Sequence, residues 1–224
     1  MTELTFEEWL EYCFASLEKP DVRSARWHGP PAVAIDYFTR AFEDAADVLA
    51  PYSVGQLASG FWKMNFRPLI DARVPWEQRR RCVRSMYTLF AECFAKRCDQ
   101  YLCYSADEAK YNTNPLNGVC YMWWESVPMR SHDPSHPEET SVYLDVMRRT
   151  LLLDSDACQE SALHGLGHWH WDYGWWRNED DPEYMKMKEV NTTVEIIDDF
   201  LSRHPKLSPD LKRYALAARD GMIQ

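Results

Sequence analysis

Glu160, His164 and His168 follow one another at intervals of four residues, a spacing that places side chains on one face of an α-helix. Imidazole nitrogens and carboxylate oxygens bind zinc and other divalent metals, and the same groups carry out acid–base catalysis. The three side chains span about 12 Å along a straight helix, so Glu160 and His168 cannot bind the same ion. The pattern therefore predicts a site in which the two histidines act with a carboxylate from another helix. Asp172, one turn further along, is another candidate.

The two histidines also have a structural interpretation. Imidazole rings among tryptophans often belong to a core, with each nitrogen hydrogen-bonded to a backbone carbonyl or an acid. The sequence contains no H-E-x-x-H motif, phosphate-binding glycine loop, G-x-S-x-G elbow or dinucleotide fingerprint. Cys158 lies about 120° around the helix from His164, so these two residues cannot pair as nucleophile and base. A metal or acid–base site and a packed core both remain open.

Aromatic side chains beside carboxylates form a second candidate site. Trp171, Tyr173 and Trp175 follow the histidines, and Trp124 with Glu125 belongs to an earlier aromatic cluster. Rings that stack on apolar ligand faces, next to acids that accept hydrogen bonds from hydroxyl groups, are typical of carbohydrate-binding clefts. The alternative is that the rings fill the core at a helix end. We predict that these five residues contact a ligand where the two clusters converge.

Charge and cysteine usage narrow the expected partners and location. The chain of 224 residues has a net charge of −10 at pH 7, which repels phosphate backbones and disfavours nucleic acid as a partner. No window approaches the roughly 20 apolar residues of a membrane helix, and the first residues form neither a basic leader nor an apolar run. The seven cysteines form no C-x-x-C pair, which favours free thiols in a reducing compartment. We therefore expect a cytoplasmic protein with no membrane partner.

Apolar residues recur at helical spacing in almost every long segment, and no segment has the alternation of a strand. Thr5 with Glu8, and Ser53 with Gln56, fit the capping box that begins a helix. Gly174 is expected to end the helix that carries the histidines. The sequence predicts one all-α domain, 1–224, with about nine helices, near 5–18, 31–50, 53–66, 75–103, 116–129, 138–153, 156–171, 183–203 and 208–221.

Two short connections predict antiparallel helix hairpins, one joining 31–50 to 53–66 and the other joining 138–153 to 156–171. The second hairpin contains S-A-L-H-G-L-G-H, from Ser161 to His168, which resembles the A-L-x-x-L-G pattern of the inner helix in HEAT-like α-solenoid repeats. This resemblance covers about 138–171. It implies αα-hairpins packed as a compact right-handed superhelix whose concave surface binds a partner.

The expected function is therefore that of a non-catalytic binding or scaffold protein. Such a protein would recognise a protein partner or a small-molecule ligand through a concave aromatic surface, would need no cofactor, and could form homo-oligomers. One alternative is an enzyme that uses His164 and His168 with a carboxylate, either to bind zinc or another divalent metal or as acid–base groups. A second alternative is a carbohydrate-binding cleft of tryptophan and acidic residues. The enzyme predicts a solvent-reachable pocket in which a histidine meets an acid from another helix, whereas the binding module predicts that the histidine face is packed away.

Overall fold

The computed structural model describes residues 4–15, 27, 29–105, 113–128, 137–175 and 188–223, with the backbone alone at 137, 170–175 and 188–191. The described residues contain no strand, so the predicted all-α class is confirmed. No helix within these ranges is both long enough and apolar enough to span a membrane. The helices are α1 (Phe6–Phe14), α2 (Pro31–Glu43), α3 (Ala45–Val48), α4 (Val54–Lys63), α5 (Trp76–Leu89), α6 (Pro115–Tyr121), α7 (Trp123–Ser126), α8 (Pro137–Thr150), α9 (Asp156–Trp175), α10 (Lys188–Arg203) and α11 (Pro209–Arg219).

Most predicted helices are present, and their starts follow local chemistry. Thr5 and Ser53 form the predicted capping boxes, in which each hydroxyl accepts a backbone N–H and the side chain three residues later accepts the N–H of the cap residue. The predicted helix 75–103 is shorter, because α5 continues through a π-helical stretch, Phe90–Phe94, and ends at Arg97, before Cys98 takes an extended conformation.

Two predicted helices divide in two. The segment 31–50 breaks at Asp44, which has φ −104° and ψ 29°, and the segment 116–129 breaks at Met122, with φ −82° and ψ 7°. The second break changes the direction of the chain just before two adjacent tryptophans. On a continuous helix one of them would approach the surface, but after this break both Trp123 and Trp124 are buried. The number of helices therefore exceeds the predicted nine.

One of the two predicted hairpins is wrong. The principal packing partner of α2 is α5, whereas α4 packs against α1 and α6. The cause is the break at Asp44, because the short helix α3 redirects the chain before α4 begins. The other prediction is confirmed, since α8 and α9 are neighbours joined by a short turn. Nothing in this packing tests the HEAT-like superhelix, which stays a prediction.

Helix α9 lies at the centre of the C-terminal half and packs against α6, α7, α8, α10 and α11. Every residue from Ala157 to Gly167 is buried, so the helix has no free face along this stretch. Glu160 and His164 are thus packed away from solvent, whereas His168 is 18% exposed.

Two glycines permit this close packing. A Cβ atom on Gly165 would lie 2.7 Å from Cγ of Trp124 and 2.8 Å from Sδ of Met147, and one on Gly167 would lie 2.5 Å from Cδ1 of Ile223. Helix α9 continues past the predicted stop at Gly174 to Trp175.

Candidate metal centre

Helices α7 and α9 bring three potential metal ligands together. Nε2 of His164 lies 2.6 Å from Oε1 of Glu125, and Nε2 of His168 lies 3.2 Å from the same oxygen. The two Nε2 atoms are 3.2 Å apart. Two histidines one turn apart on α9 thus share a centre with a carboxylate from another helix, which is the arrangement that the sequence spacing requires of a metal site.

The position of Glu125 follows from the packing of its neighbour Trp124. The indole of Trp124 is 1% exposed and stacks nearly parallel on Phe90, with ring centroids 5.8 Å apart. On its other side it meets the backbone of α9 at Gly165, where there is no room for a larger side chain. Because α7 is a single turn fixed by this ring, the next residue, Glu125, is directed toward the histidines.

Burial differs across the three ligands. The side chain of His164 is 0% exposed, that of His168 is 18% exposed and that of Glu125 is 37% exposed. The group is therefore closed on the His164 side and reaches solvent on the Glu125 side.

Burial keeps His164 neutral near pH 7. It lowers the pKa of His164 to about 4, and the hydrogen bond with the Glu125 carboxylate opposes this effect without reversing it. A neutral imidazole has one nitrogen with a free lone pair, as metal binding requires.

Two tyrosines surround His164 on the buried side. Nδ1 of His164 lies 2.7 Å from Oη of Tyr214, which in turn donates to Oη of Tyr121 at 3.4 Å. Burial raises the pKa of Tyr121 to about 12 and that of Tyr214 further above its usual range, so both hydroxyl groups stay protonated. Nδ1 of His164 thus has its own partner on the buried side, which holds the ring with Nε2 toward Glu125 and His168.

Sequence reasoning missed both tyrosines. Tyr214 lies on α11, about 50 residues beyond His164 in the chain, and its only signal was its place among the buried residues of an amphipathic helix. The ring of Tyr121 lies 4.2 Å from that of His164, but Tyr121 precedes the break at Met122, which the sequence did not indicate.

Glu160, a predicted catalytic candidate, has a different role. Its carboxylate is buried and accepts the backbone N–H groups of Cys103 at 2.8 Å and Tyr104 at 2.9 Å. It therefore anchors the 3₁₀ turn Cys103–Ser105, one helical turn before His164 on α9. Burial raises the pKa of Glu160 to about 7, although the two N–H donors oppose that shift.

The remaining predicted site residues are not brought to this centre by any described contact. Trp124, predicted to contact a ligand, is instead part of the core. Trp171, Asp172, Tyr173 and Trp175 lie on the last turns of α9, and their side chains fall outside the described residues.

Comparison of the chain with protein-family models, with curated proteins and with solved structures found no match in any of the three. The class of the site therefore rests on its own geometry. The site is a two-histidine, one-carboxylate donor set, formed by two imidazole nitrogens and one carboxylate oxygen.

Proposed function

We propose that the protein binds one divalent transition-metal ion, such as zinc, through Glu125, His164 and His168, and that it acts as a metal-dependent enzyme. The observation that supports this proposal is the convergence of three ligand atoms from two helices at separations of 2.6 to 3.2 Å. The ligand atoms of the three side chains all lie within 4.8 Å of one another, so the group could hold one ion.

The separations fit an ion well. Tetrahedral zinc with bonds of about 2.0 to 2.1 Å holds its ligand atoms about 3.3 Å apart. The two contacts of His168, at 3.2 Å, already have that length. The contact between His164 and Glu125, at 2.6 Å, is a hydrogen bond and would lengthen when an ion replaces the proton between them.

The donor set indicates catalysis more than a structural role. Structural zinc sites are closed by four protein ligands, whereas catalytic sites use three and leave one position for water or substrate. Here the solvent-exposed side of Glu125 provides that position. A bound divalent ion activates water as a nucleophile, so metal-assisted hydrolysis is the reaction class that we propose. His164 and His168 would hold the ion with Glu125, and Tyr214 would keep the ring of His164 in its orientation.

Other expectations stay predictions. Recognition through a concave aromatic surface and a carbohydrate-binding cleft both depend on Trp171, Tyr173 and Trp175, whose side chains lie outside the described residues. A cytoplasmic location is supported by seven free cysteines, most of them buried, which are typical of a reducing compartment.

Calorimetric titration of metal-free protein with zinc tests the proposal. We expect one ion per chain in the wild type, and an affinity at least tenfold lower in His168→Ala and in Glu125→Gln. His168 is preferred to His164 because removal of the buried ring would leave Tyr214 without its partner. Matched controls are Glu195→Gln on α10 and His204→Ala, one residue beyond the end of α10; both should bind zinc as the wild type does. A wild type that binds neither zinc nor cobalt nor manganese, or an unchanged affinity in His168→Ala, would refute the site.

A further inference from the structure

A small cavity of about 80 Å³ lies near the N-terminus, remote from the candidate metal centre. It is enclosed by α1, by the start of α2 and by the end of α4, and none of its lining residues belongs to the metal centre. The residues that matter for its chemistry are Trp9, Trp27, Phe38, Lys63 and Asn65.

Lys63 is buried and has no acidic partner among the residues that the structure describes. Lys63 is 7% exposed, and its ammonium group donates to the backbone oxygen of Tyr12 at 3.5 Å. Within the described ranges this long contact is the sole hydrogen bond of an ammonium group that has three donors. Buried charges in proteins are normally paired, because an unpaired one loses its hydration without compensation. No acidic side chain in the described ranges supplies that compensation for the ammonium group.

A second donor lines the same cavity. Oδ1 of Asn65 accepts the backbone N–H of Arg67 at 3.2 Å, which fixes the orientation of the amide. The other end of that amide is an NH₂ group, and it makes no hydrogen bond to any described residue. Lys63 and Asn65, each with N–H groups that have no partner among the described residues, thus both line one small cavity.

The rest of the wall is apolar and rigid. Trp9 and Phe38 are almost completely buried, with ring centroids 5.8 Å apart. Trp27 stacks on Tyr37 with an interplanar angle of 14°, which holds its ring in place. A ligand that fits would have a negatively charged end for the donors and a short apolar part for the rings.

We propose that this cavity binds a small monocarboxylate with a short apolar tail, with its carboxylate on Lys63 and Asn65 and its tail between Trp9, Trp27 and Phe38. The volume supports a ligand of this size, since a single water needs about 10 to 15 Å³ of such space. A carboxylate supplies two acceptor oxygens, which match the two groups with unused donors. The site is independent of the metal centre.

Calorimetric titration with sodium butyrate tests the site. Butyramide has the same apolar tail without the charge, and sodium chloride supplies a simple anion without the tail. We expect saturable binding of one butyrate per chain, and binding at least tenfold weaker for butyramide and for chloride. Lys63→Met keeps the length of the side chain but removes the charge, and it should lower butyrate affinity at least tenfold. Lys212→Met, at an exposed lysine of α11, is the matched control and should bind butyrate normally.

The stability of the variant gives a second readout. Because methionine removes an unpaired buried charge, Lys63→Met should melt at or above the temperature of the ligand-free wild type, and butyrate should no longer raise its melting temperature. Absence of saturable butyrate binding in the wild type would overturn the proposal, as would equal affinity for butyrate and butyramide. Unchanged butyrate affinity in Lys63→Met would overturn it as well. The comparison of butyrate with butyramide uses wild-type protein alone, so it holds even where the variant fails to fold.

Discussion

The hydroxyl group of Tyr214 is expected to stabilise the fold because it is the hydrogen-bond partner of the buried Nδ1 atom of His164. The two atoms are 2.7 Å apart, and the histidine is 0% exposed, so water cannot replace the tyrosine. In Tyr214→Phe the phenyl ring fills the same space, and the loss is that of the contacts with Nδ1 and with Tyr121, which leaves the buried Nδ1 atom unpaired. Such a loss costs about 1 to 3 kcal/mol. We expect the free energy of unfolding to fall by about that amount.

Urea denaturation of the metal-free protein, followed by far-ultraviolet circular dichroism, measures this difference. The control is Tyr87→Phe. Tyr87 is half-buried on α5, and its ring lies under the guanidinium group of Arg149, a contact that phenylalanine keeps. The control should change stability by less than about 0.5 kcal/mol. A Tyr214→Phe variant as stable as this control would refute the role assigned to the hydroxyl group.

Three further variants test other parts of the structure. Burial raises the pKa of Glu160 from 4.5 to about 7, so its contribution to stability is complete below pH 4.5 and is lost as the pH rises through 7. Denaturation at several pH values should therefore show that the free energy of unfolding of the wild type falls by on the order of 3 kcal/mol relative to that of Glu160→Gln across that range. Parallel stability profiles of the two proteins would contradict this prediction. Arg79→Met leaves Glu139 as an unpaired buried charge, so the free energy of unfolding measured by urea denaturation should fall by about 3 to 5 kcal/mol. A fall of less than about 1 kcal/mol would show that the ion pair between Arg79 and Glu139 contributes little to stability. Gly165→Ala places a methyl group 2.7 Å from Trp124, so it should lower the melting temperature despite the better helix propensity of alanine; an unchanged melting temperature would show that the ring can move.

The sequence predicted the features of the fold that depend on residues close together in the chain. Helical spacing and capping boxes located the helices, and the turn between α8 and α9 correctly made these two helices neighbours. Local signals did not reveal the breaks at Asp44 and Met122, because neither residue is a strong helix breaker and the breaks follow from packing. The hairpin between the second and third predicted helices failed for that reason.

The candidate site was partly predictable for the same physical reason. Spacing placed His164 and His168 on one face of a helix, and the length of that face showed that the carboxylate had to come from elsewhere. Glu125 was singled out as a ligand contact, but its approach to the histidines depends on how α7 packs on α9. Tyr214 reaches His164 from a helix distant in the chain. Contacts of this kind depend on tertiary structure and leave no pattern along a single sequence.

Elemental analysis of the purified native protein, beside a His164→Ala/His168→Ala double variant, tests the central claim most directly. The proposed site predicts about one equivalent of a divalent transition metal per wild-type chain and its loss in the double variant. A wild type without metal, even after incubation with excess zinc and removal of unbound ions, would contradict the proposal. Equal metal content in the wild type and the double variant would contradict it too.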